Sequence, residues 1–164
     1  MKLLILKENL KRGLNIIERV ASKSLSLPIL NNVLLSTEGN FLNLSATDLE
    51  IGIRYWALSQ IEKQGKIVVP ARFLSGFINS LPSDKISLEV LDNVLNVKTK
   101  NFKTQIKGFS AEEFPIIPKI SDKEYLELDI TSFCRALSQV YKFVSISKTR
   151  PEISGVYLSF DKKQ

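Results

Sequence analysis

Lysine and arginine are the residues of this chain with the clearest chemistry, and that chemistry is contact with phosphate. Lys11, Arg12, Arg19 and Lys23 crowd the first segment, and Arg135, Lys142, Lys148 and Arg150 form a second group. Met1 to Ser36 carries a net +4, and Ile130 to Pro151 carries +4 with no acid at all. Together they exceed the +6 of the whole chain, so the remainder is slightly acidic. A surplus confined to two segments suggests one surface that faces a polyanion. Two ordinary solvated helices are the plainer alternative.

Other reactive types point away from catalysis. Histidine is absent, which removes the commonest general base, the commonest metal ligand and every Ser-His or Cys-His nucleophile. The seven glycines are scattered and make no phosphate loop. No metal or cofactor is implied. Asp48 and Glu50 lie two apart in an alternating run, on one strand face that a metal could use. The commoner arrangement is a solvated face with Asp48 closing a turn. Cys134 is the only cysteine, so no internal disulfide forms and a reducing cytoplasm is the natural compartment. On a helix it reads as packing. Tyr141-Lys142-Phe143 has the aromatic-basic pattern of a single-strand contact, but Phe143 reads as part of a core. Trp56, beside Tyr55 at a strand end, reads as a core or edge aromatic. No apolar run is long enough to span a bilayer.

The elements that carry the basic residues repeat. Sliding the sequence by 123 positions puts Arg12 on Arg135, Leu14 on Leu137, Ser22 on Ser145, Pro28 on Pro151 and Leu35 on Leu158, without gaps from Glu8 to Ser36. A fixed period means one folding unit used more than once. The expected organisation is a complete first domain over 1–120 and a truncated second domain over 121–164. The Phe114–Lys123 segment is the linker, and a third domain is absent. Within the first copy, Met1–Lys7 reads as a strand. Glu8–Ala21 has a helical stripe of Leu10, Leu14, Ile17 and Ala21, widened by Ile16 and Val20. Period-two runs at 33–36, 41–46 and 48–54 predict an antiparallel meander. Lys66–Val69 predicts a strand, and Ala71–Ser80 a helix packed through Phe73, Leu74, Phe77 and Ile78. Three strands follow at 86–89, 94–99 and 102–106. Asn40–Leu44 and Asn93–Val97 echo one another 53 positions apart, so both halves read strand, helix, strands. In the second copy Tyr125–Asp129 should restart the first strand. A helix with Ile130, Phe133, Leu137, Val140 and Val144 buried should follow, and Val156–Phe160 should open another strand. The fold class is α+β.

Leu27-Pro28-Ile29-Leu30-Asn31-Asn32-Val33-Leu34-Leu35, Thr47-Asp48-Leu49-Glu50, Val69-Pro70-Ala71-Arg72, Leu81-Pro82 and Phe114-Pro115 resemble, in order and spacing, the bacterial sliding clamp family, the beta subunit of DNA polymerase III. The resemblance runs over the whole chain. It implies a DNA clamp fold of repeated β-α-β-β-β units, with antiparallel sheets outside and two helices per domain on the inner face. It also implies three domains, about 370 residues at this period, and a homodimeric ring around double-stranded DNA. Such a subunit is a processivity factor of the replicative polymerase, non-catalytic and without a cofactor. Its partners are polymerase and clamp-loader subunits, and not a membrane. The implied DNA contacts are Arg72 first, then Lys23, then Lys11, Arg12, Arg19, Arg135, Lys142, Lys148 and Arg150. Family members often carry an arginine in the loop where this chain has Ser24, so either Lys23 substitutes or this chain does without that interaction. Phe102, Thr104 and Ile106 would form the dimer edge. Ile153 would be the one rim position of a peptide pocket that lies mainly in missing parts, and this fragment alone is not expected to close the ring. The rival reading is a stand-alone basic nucleic-acid-binding module without a ring. A scaffolding fragment with no nucleic-acid role is a third.

Overall fold

The computed structural model describes residues 1–21, 27–82, 84–118, 126–145 and 149–160. The chain divides into two compact units, Met1–Pro118 and Lys119–Gln164.

In the first unit, β1 (Lys2–Leu6) leads into α1 (Lys7–Ile17), and β2 (Asn32–Glu38), β3 (Phe41–Thr47) and β4 (Gly52–Lys63) form a meander. The pattern then recurs as β5 (Lys66–Pro70), α2 (Ala71–Ser80), β6 (Lys85–Leu91), β7 (Val94–Lys98) and β8 (Lys103–Lys107). The two halves do not sit side by side. The eight strands run β5-β2-β3-β4-β1-β6-β7-β8, all neighbours antiparallel, so each half lends its first strand to the other half's sheet. The exchange obeys a pseudo-two-fold, since Leu6 opposite Lys85 repeats Pro70 opposite Asn32. The bridge between Val68 and Phe109, with amide-to-carbonyl bonds of 3.2 and 2.8 Å, takes the place that Leu4 opposite Gln60 has in the other half. A Cβ on Gly108 would come within 2.6 Å of the Val68 carbonyl oxygen, so only glycine lets these strand ends meet.

Alternation along the strands decides what lies inside. Leu3, Ile5, Val33, Leu35, Leu42, Leu44, Ile67, Val69, Ile86, Leu88, Leu95 and Val97 are buried against Leu10, Leu14 and Ile17 of α1 and Ala71, Leu74 and Ile78 of α2. Side chains point alternately to the two faces of a strand, so one face of the sheet receives both helices. The Ser110–Glu113 capping box turns the chain after β8, and Phe114 is buried. Arg54 Nη2 donates to the Ile117 carbonyl and ties the following segment to β4.

Several sequence expectations need correction. Residues 48–51 are a turn rather than a strand: Asp48 Oδ1 accepts from the Glu50 and Ile51 amides at 3.0 and 2.7 Å, and Leu49 takes φ 78°. The side-chain oxygen thus closes the turn, and Asp48 and Glu50 do not share a strand face. Ile16 and Phe73 are exposed, because four other positions on each helix already fill the interface with the sheet. α1 stops at Ile17, although Val20 and Ala21 remain buried in the turns beyond it. Trp56 lies within β4, not at its end; it is half-exposed and donates to Glu38 Oε2 at 3.0 Å.

The second unit contains α3 (Ile130–Val140) and 3₁₀ turns at Tyr141–Phe143 and Pro151–Ile153. α1 and α3 begin and end at positions one 123-residue period apart, and both are 11 residues long. The expected buried stripe is not buried: Ile130 and Val140 are exposed, and Phe133, Leu137 and Val144 are half-buried. Cys134 and Phe143 are likewise exposed. Residues 126–129 and 156–160 form no strand. Tyr125 and 119–123 lie outside the described residues. A strand requires a hydrogen-bonded neighbour and a stripe requires a cover. Among its described residues this unit offers neither a sheet nor a second helix.

Candidate nucleic-acid interface

α1 is placed by its own first turn. Leu6 supplies no side-chain cap; instead the Lys7 amide donates to the Asp84 carbonyl at 2.7 Å. Lys7 Nζ reaches the Asn79 and Leu81 carbonyls at the end of α2, where a cation meets the negative end of the helix. Gly13 lets α1 lie close to β4, since a Cβ there would stand 2.6 Å from Tyr55 Cδ1. Asn79 Nδ2 meets Asn15 Oδ1 at 3.5 Å, joining pseudo-equivalent positions of the two helices.

With Leu10, Gly13, Leu14 and Ile17 directed inward, helical spacing sends Arg12, Asn15 and Arg19 outward. Arg12 and Arg19 are exposed and Lys11 is half-buried on the flank. Arg19 stands just past the helix, where turns continue through the Arg19 amide to Ile16 and the Val20 amide to Ile17. Arg72 is exposed in the first turn of α2. Among the described residues the ion pairs are Lys2 with Glu62 at 2.6 Å and Lys98 with Glu89 at 3.1 Å. Both lie on strands. The hydrogen bond that Lys2 donates to Glu62 raises the Lys2 pKa, and the one that Lys98 donates to Glu89 lowers that of the Glu89 carboxyl. Lys11, Arg12, Arg19 and Arg72 enter neither pair, so their charge is available to an outside anion.

In the second unit Arg135, Lys142 and Arg150 are exposed and also outside those pairs. Lys23, Ser24 and Lys148 lie outside the described residues. Phe102 is exposed before β8, Thr104 is half-buried and Ile106 is in the core. Residues 103–107 pair with β7 on one side, and on the other side have no strand partner among the described residues. Ile153 is half-exposed and lines a cavity of about 520 Å³ with Phe133, Leu137, Val140, Val144 and Leu158. No described group of three carboxylates or thiols could hold a metal. No described helix is long and apolar enough to cross a membrane. Sequence reasoning missed Lys7, Asn15 and Asn79 as the residues that fix the two helices together. The 64-residue spacing of Asn15 and Asn79, the same as that of β1 and β5, is the signal that could have found them.

Two helices of one repeated β-α-β-β-β pattern, held against an antiparallel sheet and turning basic side chains outward, define a domain of the DNA clamp fold. The family model described as DNA polymerase III beta subunit, N-terminal domain, matches residues 1–118. The chain belongs to that family. The beta sliding clamp of Synechococcus elongatus is 30% identical over 161 residues, covering 96% of this chain and 43% of its own length. The solved Caulobacter crescentus pol III beta superposes with a TM-score of 0.91 at 29% identity, covering 100% of this chain and 45% of that one. The Pseudomonas aeruginosa DNA polymerase III subunit beta gives 0.86 at 27% identity, over 94% of this chain and 42% of its own. The chain thus spans less than half the length of these relatives.

Proposed function

We propose that this chain supplies the first domain and the opening of the second domain of a DNA sliding clamp. The outward cations of α1 and α2, free of the ion pairs seen elsewhere, carry this reading. Backbone phosphates attract lysine and arginine irrespective of sequence, and counterion release makes the attraction fall steeply with salt. Contacts to phosphate alone carry no base information, so nothing pins the protein at one place along the axis. A ring lined in this way encircles duplex DNA and still slides, tethering the polymerase without catalysing a step itself. Arg72, Arg12, Arg19 and Lys11 act in the first unit, with Lys23 and Ser24 in the segment after α1. Arg135, Lys142, Lys148 and Arg150 are their counterparts in the second.

Ring closure requires a partner for the open side of β8, and the Phe102–Ile106 segment fits a strand of a second subunit. Ile153 belongs to the rim of the pocket for polymerase and clamp-loader peptides. Titration of a fluorescent duplex at rising salt tests the central reading. Every phosphate that the protein no longer neutralises should flatten the slope of log K against log salt by about 0.9. The R12E/R19E/R72E variant should therefore bind more weakly and with a shallower slope. Unchanged affinity would remove the basis for this assignment. Equal retention on linear and closed circular DNA by a ring-forming full-length protein would favour the stand-alone binding module instead.

A further inference from the structure

The outward side of α2 carries a residue that phosphate contact does not use. Phe73 directly follows Arg72 and is 58% exposed, although it belongs to a helix already packed through Ala71, Leu74, Ser75 and Ile78. Three residues on, and so on the same side of the helix, Gly76 has open space where a side chain would stand. The ring is therefore left accessible, one position along the helix from a cation that enters no described ion pair. The fold does not demand an aromatic here. The pseudo-equivalent position on α1 holds Asn9, whose side chain donates to the Leu58 carbonyl at 3.2 Å.

A phenyl ring gains little from phosphate oxygens, and the base faces of a duplex are hidden by their own stacking. Unpaired bases offer those faces, and an exposed aromatic next to an arginine is a platform for them. We propose that Arg72 and Phe73 form a contact for single-stranded DNA, with Arg72 on a phosphate and Phe73 stacked on an unpaired base. The contact rests on the reading of α1 and α2 as a phosphate-facing surface, whose charge draws the strand to it. Tyr141-Lys142-Phe143 does not compete for this role. One period earlier the place of Phe143 is taken by Val20, a buried residue, so its exposure reflects a core position without its cover.

The test compares a fluorescein-labelled 20-mer of thymidylate with a 20-base-pair duplex, titrated at low salt against the 164-residue chain and its variants. Removing one stacking partner should weaken thymidylate binding about fivefold or more, so Phe73→Ala should show that weakening with duplex affinity within about twofold. Phe73→Trp should retain binding, and its new indole should be quenched by thymidylate, whereas F73A, which keeps Trp56 as its sole tryptophan, should show no such quench. Thermal melts of each variant verify the fold. Unchanged thymidylate affinity in F73A, equal weakening for both ligands, or no binding of thymidylate by the parent chain would each overturn the contact. R12E/R19E measured on the duplex tests the phosphate-facing surface separately. Its failure to weaken binding would remove that surface, whatever F73A does.

Discussion

α1 and α3 are the same helix written twice, and among the described residues only α1 packs against a sheet. Leu10, Leu14 and Ile17 of α1 are at most 1% exposed, while their counterparts Phe133 and Leu137 are half-buried and Val140 is 46% exposed. The boundaries are equivalent, so the local code for the helix survives without the core. What differs is the termini and the surroundings. α1 starts by bonding a distant carbonyl, that of Asp84. α3 starts on its own Asp129, whose carboxylate accepts from the Ser132 amide at 2.8 Å. α1 thus takes its start from tertiary structure, whereas α3 relies on a cap within its own sequence.

Amide exchange should separate the two most widely. Amides of α1 open only with the whole first unit, which at ordinary domain stability means protection of about a thousandfold or more, and those of α3 should exchange far faster in the same experiment. Equal protection along 130–140 would erase the contrast. Core truncation comes next. Leu14→Ala should cost about 3 kcal/mol in urea unfolding of the first unit, and Leu137→Ala less than about 1 kcal/mol. A smaller contrast concerns a single Cβ, which harms one helix and helps the other. The counterpart of Gly13 is the exposed Ala136. Gly13→Ala must displace Tyr55, and overpacking of about 1–3 kcal/mol outweighs the roughly 1 kcal/mol gained in helix propensity. Ala136→Gly simply gives up about 1 kcal/mol of that propensity, visible as a weaker helix signal. The smallest effect is on Asp129, whose carboxyl is held below its usual pKa by hydrogen bonds from Ser132, with a further one from the Thr131 amide. Its stabilisation is present above the unfolded carboxylate value and is lost as pH falls through the depressed folded one. Asp129→Ala should therefore loosen the Ser132 amide at neutral pH and change little in strong acid, as read by NMR.

The repeat, its period and most strands of the first unit were legible because burial on one face imposes a period on the residues themselves. Val33, Leu35, Leu42 and Leu44 alternate as a strand must, and Leu10, Leu14 and Ile17 recur as a helix must. Exposure was less legible. Ile16 and Phe73 fit the apolar stripes by type, and only the width of the interface excludes them. Half of β4 escaped because its outward positions include Trp56 and Leu58, which blur the alternation. The failed stripe of α3 has a different origin: Phe133 and Leu137 have the right spacing, but burial belongs to the pair of surfaces and not to either alone. Charge was legible as composition, yet the freedom of Arg12 and Arg72 from ion pairs depends on where acids lie in space.

The exchange of β1 and β5 makes the two halves of the first unit hostage to one another. Each sheet half would lose a strand if the other half came apart, so partial unfolding along the sequence midpoint has no stable product. The first unit should melt as one cooperative block, despite being built from two copies of a simpler motif. Cut at the turn between Lys63 and Lys66, it should yield two pieces that fold only together. In the sliding ring proposed above, such a construction would mean that no single half can yield first.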